Sequence, residues 1–580
     1  MNHKNRRQQY QMMAVLAYLF TVFYCIHMGY LLEHGHEKSV YLLAVSLDHL
    51  LSHPLQIFPT QPKMAASGFL IGFFPVLAIY SDYLRNKNLR PDEEVDSAKW
   101  NDNIKKFRKQ YTAKPLHGTG SPNMILTKNI FLNMDSYATK RNNNVMVIGG
   151  SGTGKSRYLA KPNLLQANCS YVVTDPSGEL LASVGKFLKD IGYDIKIFNL
   201  VDMEHSDLYN PFRYIREQAD VPKMICALIM NTTPEGSHST DPFWEKAETA
   251  LLTALSFYVL SEIEDEEQNF ATVKDLLSWA MEDENQKDET KPGNVKQNTT
   301  KKPSLLDSAF KVLEQREPDH IAVKYYKDFK SATAPETISS ILLSCQIRLQ
   351  AWNLDAIRRL TSSDTIDLRS VGDKKTAIFC IIPTADSTYN FLISLMYTQL
   401  FETLYHHAET ECPEKHLPIP VRFLLDEFAN IGMIPDFEKK LSTIRKYQIS
   451  CTIIIQALSQ IKARYKDSWE IIIGNCDSLL FLGGNDQTTL EYISKKLGKE
   501  TIRSVNTSQT RGRQGSYTVS YNKTGRELMT ASELGKMSND KCIYMMRGED
   551  PFYSTKYDLT KHPNYSKSGD ADVRNEYHMG

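Results

Sequence analysis

Asn144-Val145-Met146-Val147-Ile148-Gly149-Gly150-Ser151-Gly152-Thr153-Gly154-Lys155-Ser156 runs from a buried-strand pattern into a loop that fits G-x-x-x-x-G-K-[ST] at every position. A helical pattern follows through Tyr158 and Leu159. Glycines let successive backbone amides curl around phosphate oxygens, and the helix N-terminus adds partial positive charge. Gly149, Gly150, Ser151, Gly152, Thr153 and Gly154 are therefore expected to cradle a nucleotide's phosphates. Lys155 is expected to reach the β- and γ-phosphates, and the Ser156 hydroxyl to hold magnesium.

Such a loop needs a carboxylate site beside it. Val421-Arg422-Phe423-Leu424-Leu425 is a largely apolar strand that ends in Asp426-Glu427. Asp426 is expected to support the hydrated cation and Glu427 to polarise the attacking water. A further buried strand, Cys451-Thr452-Ile453-Ile454-Ile455, ends in Gln456, where α/β sheets place ligands. Gln456 is a candidate to sense the γ-phosphate or position water. Arg445, between these two strands, is a candidate arginine finger across a subunit boundary, or an ordinary surface arginine.

Apolar strand patterns recur at Tyr171–Thr174, Ile195–Phe198, Ala377–Ile382, Ser478–Leu482 and Cys542–Met546, with helical stretches between many of them. Continuous apolar strands of this length predict an α/β fold with a parallel sheet covered on both faces. Between Tyr214 and Thr365 helical patterns dominate, among them Trp244–Leu260, Val273–Met281, Leu305–Gln315 and Thr337–Leu349. The expected organisation is a P-loop nucleotide-binding domain over 91–213 and 366–560. An all-α domain, 214–365, is inserted into it, and 561–580 forms a polar, mobile tail.

The N-terminus adds a membrane anchor over residues 1–90. Lys4, Arg6 and Arg7 precede an uncharged apolar run from Met12 to Leu32, and a second run spans Met64 to Tyr80. About 20 apolar residues cross a bilayer core as a helix, and the second run is near the lower limit. Arg85, Lys87 and Arg90 follow it, while Glu33, Glu37 and Asp48 outnumber Lys38 and Lys63 between the runs. The positive-inside rule then predicts two transmembrane helices (about 12–32 and 64–80) with an extracellular loop and the bulk of the chain in the cytoplasm.

Composition sets limits on the rest. The 580 residues carry 68 Lys plus Arg and 68 Asp plus Glu, so any nucleic-acid surface must be local. Nine scattered cysteines without a CxxC pair argue against a disulfide framework or a zinc site. Ser261 to Thr290 is strongly acidic, a solvated loop or a docking face for a basic partner. Lys499 to Arg526 holds Arg503, Arg511, Arg513, Lys523 and Arg526 with Tyr517 and Tyr521 interleaved, a candidate nucleic-acid contact or a plain hairpin.

These residues together resemble the TraG/TraD family of type IV secretion coupling proteins, in versions from Gram-positive mobile elements. The resemblance covers Ser97-Ala98-Lys99-Trp100, Arg141-Asn142-Asn143-Asn144, the P-loop, and Thr174-Asp175-Pro176-Ser177-Gly178-Glu179. It also covers Tyr209-Asn210-Pro211-Phe212, Asp241-Pro242-Phe243-Trp244, Leu425-Asp426-Glu427-Phe428 and Phe481-Leu482-Gly483-Gly484-Asn485. Ser177 departs from the family's usual lysine and is left without a role. The resemblance implies a multi-pass plasma-membrane protein with a RecA-like nucleotide domain, acting as a homo-hexameric ATPase with ATP and Mg2+. The implied partners are a relaxase, accessory relaxosome proteins, single- or double-stranded DNA and type IV secretion channel proteins. In that family's roles, Lys155 and Ser156 bind nucleotide and metal, Asp426 and Glu427 drive hydrolysis, and Gln456 and Arg445 couple it between subunits. Two other readings stand beside it, an FtsK-like duplex translocase and a docking receptor that is not a motor. An ABC-type transporter ATPase is disfavoured, because no LSGGQ-like segment occurs.

Overall fold

Residues 3–35, 40–54, 62–85, 95–233, 242–285, 304–509 and 517–579 are described by the computed structural model. They divide into two units, one of residues 1–95 with 501–523 and one of 96–500 with 524–580.

Thirteen strands run along the described chain. In order they are β1 (Asn123–Ile125), β2 (Phe131–Asn133), β3 (Val145–Gly149), β4 (Ser170–Pro176), β5 (Asp194–Asn199), β6 (Thr376–Ile382) and β7 (Val421–Leu425). They continue with β8 (Ile449–Ile455), β9 (Ser478–Gly483), β10 (Lys499–Gln509), β11 (Tyr517–Glu527), β12 (Lys541–Met546) and β13 (Phe552–Thr555). Nine of them form the main sheet of the second unit, in the order β13-β12-β9-β3-β8-β7-β4-β6-β5. From β9 to β5 every pairing is parallel. At one edge the otherwise parallel sheet becomes mixed, since β12 runs antiparallel to both β9 and β13. Direction is not encoded in an apolar strand. For β13 it follows from the short connection to β12, which permits only a hairpin.

Period-2 alternation assigns the two faces of the sheet. Met146, Ile148, Val172, Phe423, Leu425, Ile453 and Phe481 belong to one core. Val145, Val147, Val173, Leu424, Ile454 and Leu480 belong to the other. Between β5 and β6 the described residues form helices and no strand. The main helices are Asp220–Thr232, Phe243–Glu262, Phe270–Asn285, Leu305–Arg316, Ile321–Ala332 and Pro335–Arg348. Their apolar residues, Leu251, Leu255, Phe270 and Trp352 among them, belong to the same cluster as the first face of the sheet. The helix Phe391–His406, buried along most of its length, belongs to that cluster as well. The inserted helices therefore share a core with the nucleotide domain.

Polar side chains fix the joints. Asn144 donates to the carbonyls of Leu441 and Asn475 and accepts from the Cys451 amide, which ties the start of β3 to its neighbours. Asn210 donates to the carbonyls of Gln268 and Ser362, which closes the neck of the insertion. Buried Arg422 donates to Thr452 Oγ1 and Asn163 Oδ1, joining β7, β8 and the helix after the P-loop.

The polar end of the chain departs from the expected mobile tail. Its backbone docks along the helix Glu179–Asp190: Gly569 N donates to Ser183 O at 2.8 Å and Tyr577 N to Ala182 O at 3.0 Å. Gly185 makes room, since a Cβ there would meet Tyr577 at 3.0 Å. Lys161, 4% exposed, pairs with Asp570 and Glu179, each at 2.8 Å. Hydrogen bonds and ion pairs hold this segment, and low hydropathy does not register them.

The first unit contains the helices His3–Glu33, Val40–Ser52, Pro62–Ile71 and Phe73–Arg85. One of them, over Gln8–Glu33, is long and apolar enough to cross a membrane. The expected second span, Met64–Tyr80, is divided into two helices at Gly72, although the Gly72 amide still donates to Gly68 O at 2.9 Å. This segment doubles back along the first helix. A Cβ on Gly68 would lie 2.8 Å from Cys25 Cβ, one on Gly72 would lie 2.9 Å from the Tyr18 ring, and Tyr10 donates to Asp82. Gly68 and Gly72 form a small-xxx-small contact of the kind that lets helices approach closely in lipid.

The strands β10 and β11 pair with each other as a separate ribbon. Arg511 and Arg513, Asp241, the basic residues Lys87 and Arg90, and residues 286–303 at the end of the acidic stretch lie outside the described residues.

Candidate active site

The parallel strands bring the sequence-selected residues to one edge of the sheet. Val145 is level with Thr452 and Ile148 with Ile455, so the loop after β3 and Gln456 after β8 emerge side by side. On the far side of β8, Leu425 is level with Ile453, which delivers Asp426 and Glu427 to the same edge.

The P-loop is built tightly on its own carbonyls. Gly150 O accepts from Thr153 N at 3.3 Å, Thr153 Oγ1 at 2.8 Å and Lys155 Nζ at 3.3 Å. Gly152 and Gly154 hold φ of +74° and +79°, a region that favours glycine. The segment after β9 forms the floor: Gly150 N donates to Gly483 O at 2.9 Å, and a Cβ on Gly150 would lie 3.3 Å from Gly484 Cα. Phe481-Leu482-Gly483-Gly484-Asn485 thus earns its place by backbone contact with the loop. Past the loop, Ser156–Ala160 makes a wide turn in which Lys161 N donates to Ser156 O.

Ser156 Oγ stands 3.5 Å from Asp426 Oδ2, across β8. A hydroxyl and a carboxylate at this spacing are the oxygen donors a hard divalent cation takes, and nothing crowds the loop tip at Gly152. The residues fit a nucleotide with its magnesium ion. Asp426 is 4% exposed, and burial pushes its carboxyl up to about 6; Lys155 opposes this shift and Glu427 adds to it.

Glu427 adopts φ +52°, an uncommon backbone for a residue with a side chain. Two amides hold its carboxylate. Gln456 Nε2 donates to Oε1 at 3.1 Å and Asn430 Nδ2 to Oε2 at 3.0 Å. Asn430 was missed in the sequence, where its only signal is a carboxamide three residues after the acid.

Arg445 is not part of this constellation within one chain. It precedes β8 at the opposite end of the sheet, and seven strand residues at ~3.3 Å each place it about 20 Å from Gln456. Its Nη2 donates to Ser136 O at 2.6 Å and its guanidinium lies 5.8 Å from the Tyr137 ring centroid, while its Nε is buried without a hydrogen-bond partner among the described residues. It lines a polar pocket of about 300 Å³ with Asn143, Asn168, Gln448 and Ser450.

Asp175, at the end of β4, faces the same edge and caps the helix Glu179–Asp190, accepting from Leu180 N at 2.9 Å and Leu181 N at 2.7 Å. Burial pushes its carboxyl up to about 7, against the pull of these two amides. A carboxyl raised above its unfolded value binds more protons in the folded state, so its contribution is full at acid pH and lost as pH rises through about 7. Between pH 5 and 8 this removes about 2–3 kcal/mol of stability. The melting temperature should fall over that range, and Asp175→Asn should flatten the fall. An unchanged slope in the variant would assign the pH dependence elsewhere. Ser177, in the same motif, is exposed with φ +66°.

Residues 92–568 match the family model described as type IV secretory system conjugative DNA transfer. The chain is 24% identical over 417 residues to conjugal transfer protein TraG of Rhizobium radiobacter, covering 70% of this chain and 60% of that protein. It is also 24% identical over 416 residues to the VirD4 protein of the same organism, covering 70% and 55%. The chain thus spans less than two thirds of the length of these relatives. Among solved structures it superposes on the plasmid coupling protein TrwB in complex with ADPNP, a non-hydrolysable ATP analogue, with a TM-score of 0.57 and 15% identity. That match covers 81% of this chain and 95% of TrwB. The complex of TrwB with ADP and Mg2+ gives 0.56 and 15%, covering 80% and 94%. These likenesses establish a shared fold.

Proposed function

The chain belongs to the type IV secretory system conjugative DNA transfer family, and from that premise we propose that it is a membrane-anchored ATPase coupling protein. It recruits a relaxase joined to single-stranded DNA, with its accessory proteins, to a secretion channel and drives transfer by ATP hydrolysis. One observation carries this reading: Ser156 and Asp426 meet across β8 with Glu427 and Gln456 hydrogen-bonded beside them.

In this reading the loop amides and Lys155 bind the phosphates of ATP, and Ser156 and Asp426 hold magnesium. The cation, when bound, offsets charge on the transferred phosphoryl group. Glu427 takes the proton from the attacking water, and the amides of Gln456 and Asn430 hold its carboxylate in place. Arg445 acts on the site of a neighbouring copy in a homo-hexamer. The segment around Gly68 and Gly72 completes a second membrane crossing, so residues 1–90 anchor the protein and the remainder faces the cytoplasm. The inserted helices of 214–365 receive the relaxase.

The test is ATP hydrolysis by the full-length protein in detergent, with and without single- and double-stranded DNA. Single-stranded DNA is expected to raise the rate several-fold, and more than duplex does. A stronger response to duplex would favour a duplex translocase, and indifference to both would overturn a DNA-coupled motor.

A further inference from the structure

Lys556 follows β13, far in sequence from the P-loop, yet its side chain ends on it. The residue is 3% exposed. Nζ donates to Thr153 O at 2.8 Å and to Asn539 Oδ1 at 3.2 Å, and lies 5.5 Å from the Tyr158 ring centroid. Tyr158 is itself pressed on the loop, since a Cβ on Gly154 would fall 2.4 Å from its ring carbons. Among the described residues, no carboxylate lies within ion-pair distance of Lys556. Lysines are almost never this buried unless paired, and burial without a partner is costly. The acceptors present are a carbonyl and an amide oxygen, both neutral. They satisfy the hydrogen bonds, and Asp540, beyond ion-pair distance, offsets the charge only in part, so that burial still lowers the Lys556 pKa.

The place of that charge is informative. In a phosphate loop the amides turn inward to the anion and the carbonyls turn out. An ammonium on the Thr153 carbonyl therefore grips the outer side of the turn whose inner side meets phosphate. Lys155 grips the same loop from the other side through Gly150 O. The segment that begins with Lys556 goes on to clasp Lys161, in the helix leaving the loop, through Asp570.

Resting on the reading of this loop as a nucleotide site, we propose that Lys556 is a positioning residue for the phosphates. It holds the Thr153 carbonyl outward so that the loop amides stay turned in, and its charge, only partly offset by Asp540, is balanced further when a polyphosphate is bound. The C-terminal segment is thereby part of the nucleotide site.

The experiment measures binding of ATP, ADP and adenosine to the full-length protein in detergent, for wild type, Lys556→Met, Lys556→Gln, Lys556→Arg and Lys155→Ala. Lys556→Met is expected to weaken ATP about 10-fold, ADP less, and adenosine not at all, with Lys556→Arg within about 3-fold of wild type. Lys556→Gln keeps a donor for Thr153 O without the charge, and is expected to follow Lys556→Met in its dependence on phosphate number. If Lys556→Met lowers the melting temperature sharply, the Lys556→Gln series decides. Unchanged ATP affinity in Lys556→Met and Lys556→Gln would overturn the inference. Equal losses for all three ligands would reduce Lys556 to a structural prop and overturn it as well. Should wild type bind no better than Lys155→Ala, the nucleotide reading itself fails, and this inference falls with it.

Discussion

Glu427→Gln is expected to bind ATP with near wild-type affinity and to hydrolyse it about 10²–10³-fold more slowly. Glutamine keeps the size of the side chain and one oxygen for the amides of Gln456 and Asn430. It cannot take a proton from water. In the proposed mechanism the ground-state contacts to nucleotide belong to the P-loop and to Asp426, so affinity is spared while the chemical step loses its base. Titration with ATP followed by single-turnover hydrolysis separates the two quantities. Turnover above about a tenth of wild type would remove Glu427 as the base. The same variant distinguishes motor from receptor in cells. DNA transfer that persists without hydrolysis would show that docking alone suffices.

Arg445→Ala is expected to lower turnover by about 10³-fold while changing nucleotide affinity little. Within its own chain Arg445 sits at the far end of β8 from Gln456, beyond the reach of any side chain, and its Nε has no hydrogen-bond partner among the described residues. A catalytic role therefore requires a second copy. Arg445→Ala protein has an intact Glu427, and Glu427→Gln protein has an intact Arg445. Mixed in equal amounts, the two inactive variants should form intact composite sites at about a quarter of the interfaces of a ring. Activity should return on mixing, after conditions that let subunits exchange. Failure to recover, with mixed assemblies demonstrated, would leave Arg445 as a support for Ser136 and Tyr137.

The core of this site is legible in sequence because each part is local. Gly149 to Ser156 form a contiguous loop, and Asp426, Glu427 and Gln456 each end an apolar strand. A parallel sheet brings strand ends to one edge, so the pattern alone predicts the meeting of Ser156 with Asp426. What the sequence withholds depends on pairing between distant segments. Lys556 is one lysine in a polar stretch until β13 places it under Thr153. Asn430 reads as a loop residue until the left-handed backbone at Glu427 turns the chain back on itself. The docked tail is invisible to hydropathy, because Asp570 and Tyr577 act through a buried lysine and a glycine gap. Gly68 and Gly72 are ordinary in an apolar run, and only the proximity of Cys25 and Tyr18 shows why each lacks a side chain.

The core shared between the inserted helices and one face of the sheet has a further consequence. The insertion is not a cassette. Interfaces between independent domains are modest and polar, and they tolerate the exchange of one partner for another. Here Leu251, Phe270 and Trp352 lie in one apolar cluster with Met396, Phe401 and Phe423. Trp352 is packed against Phe391, their ring centroids 5.7 Å apart. Swapping the insertion between relatives to redirect cargo choice would split a close-packed interior unless the helix Phe391–His406 travels with it. If these helices receive the relaxase as proposed, new cargo specificity is reached by changing the outward-facing residues of the helices already in place.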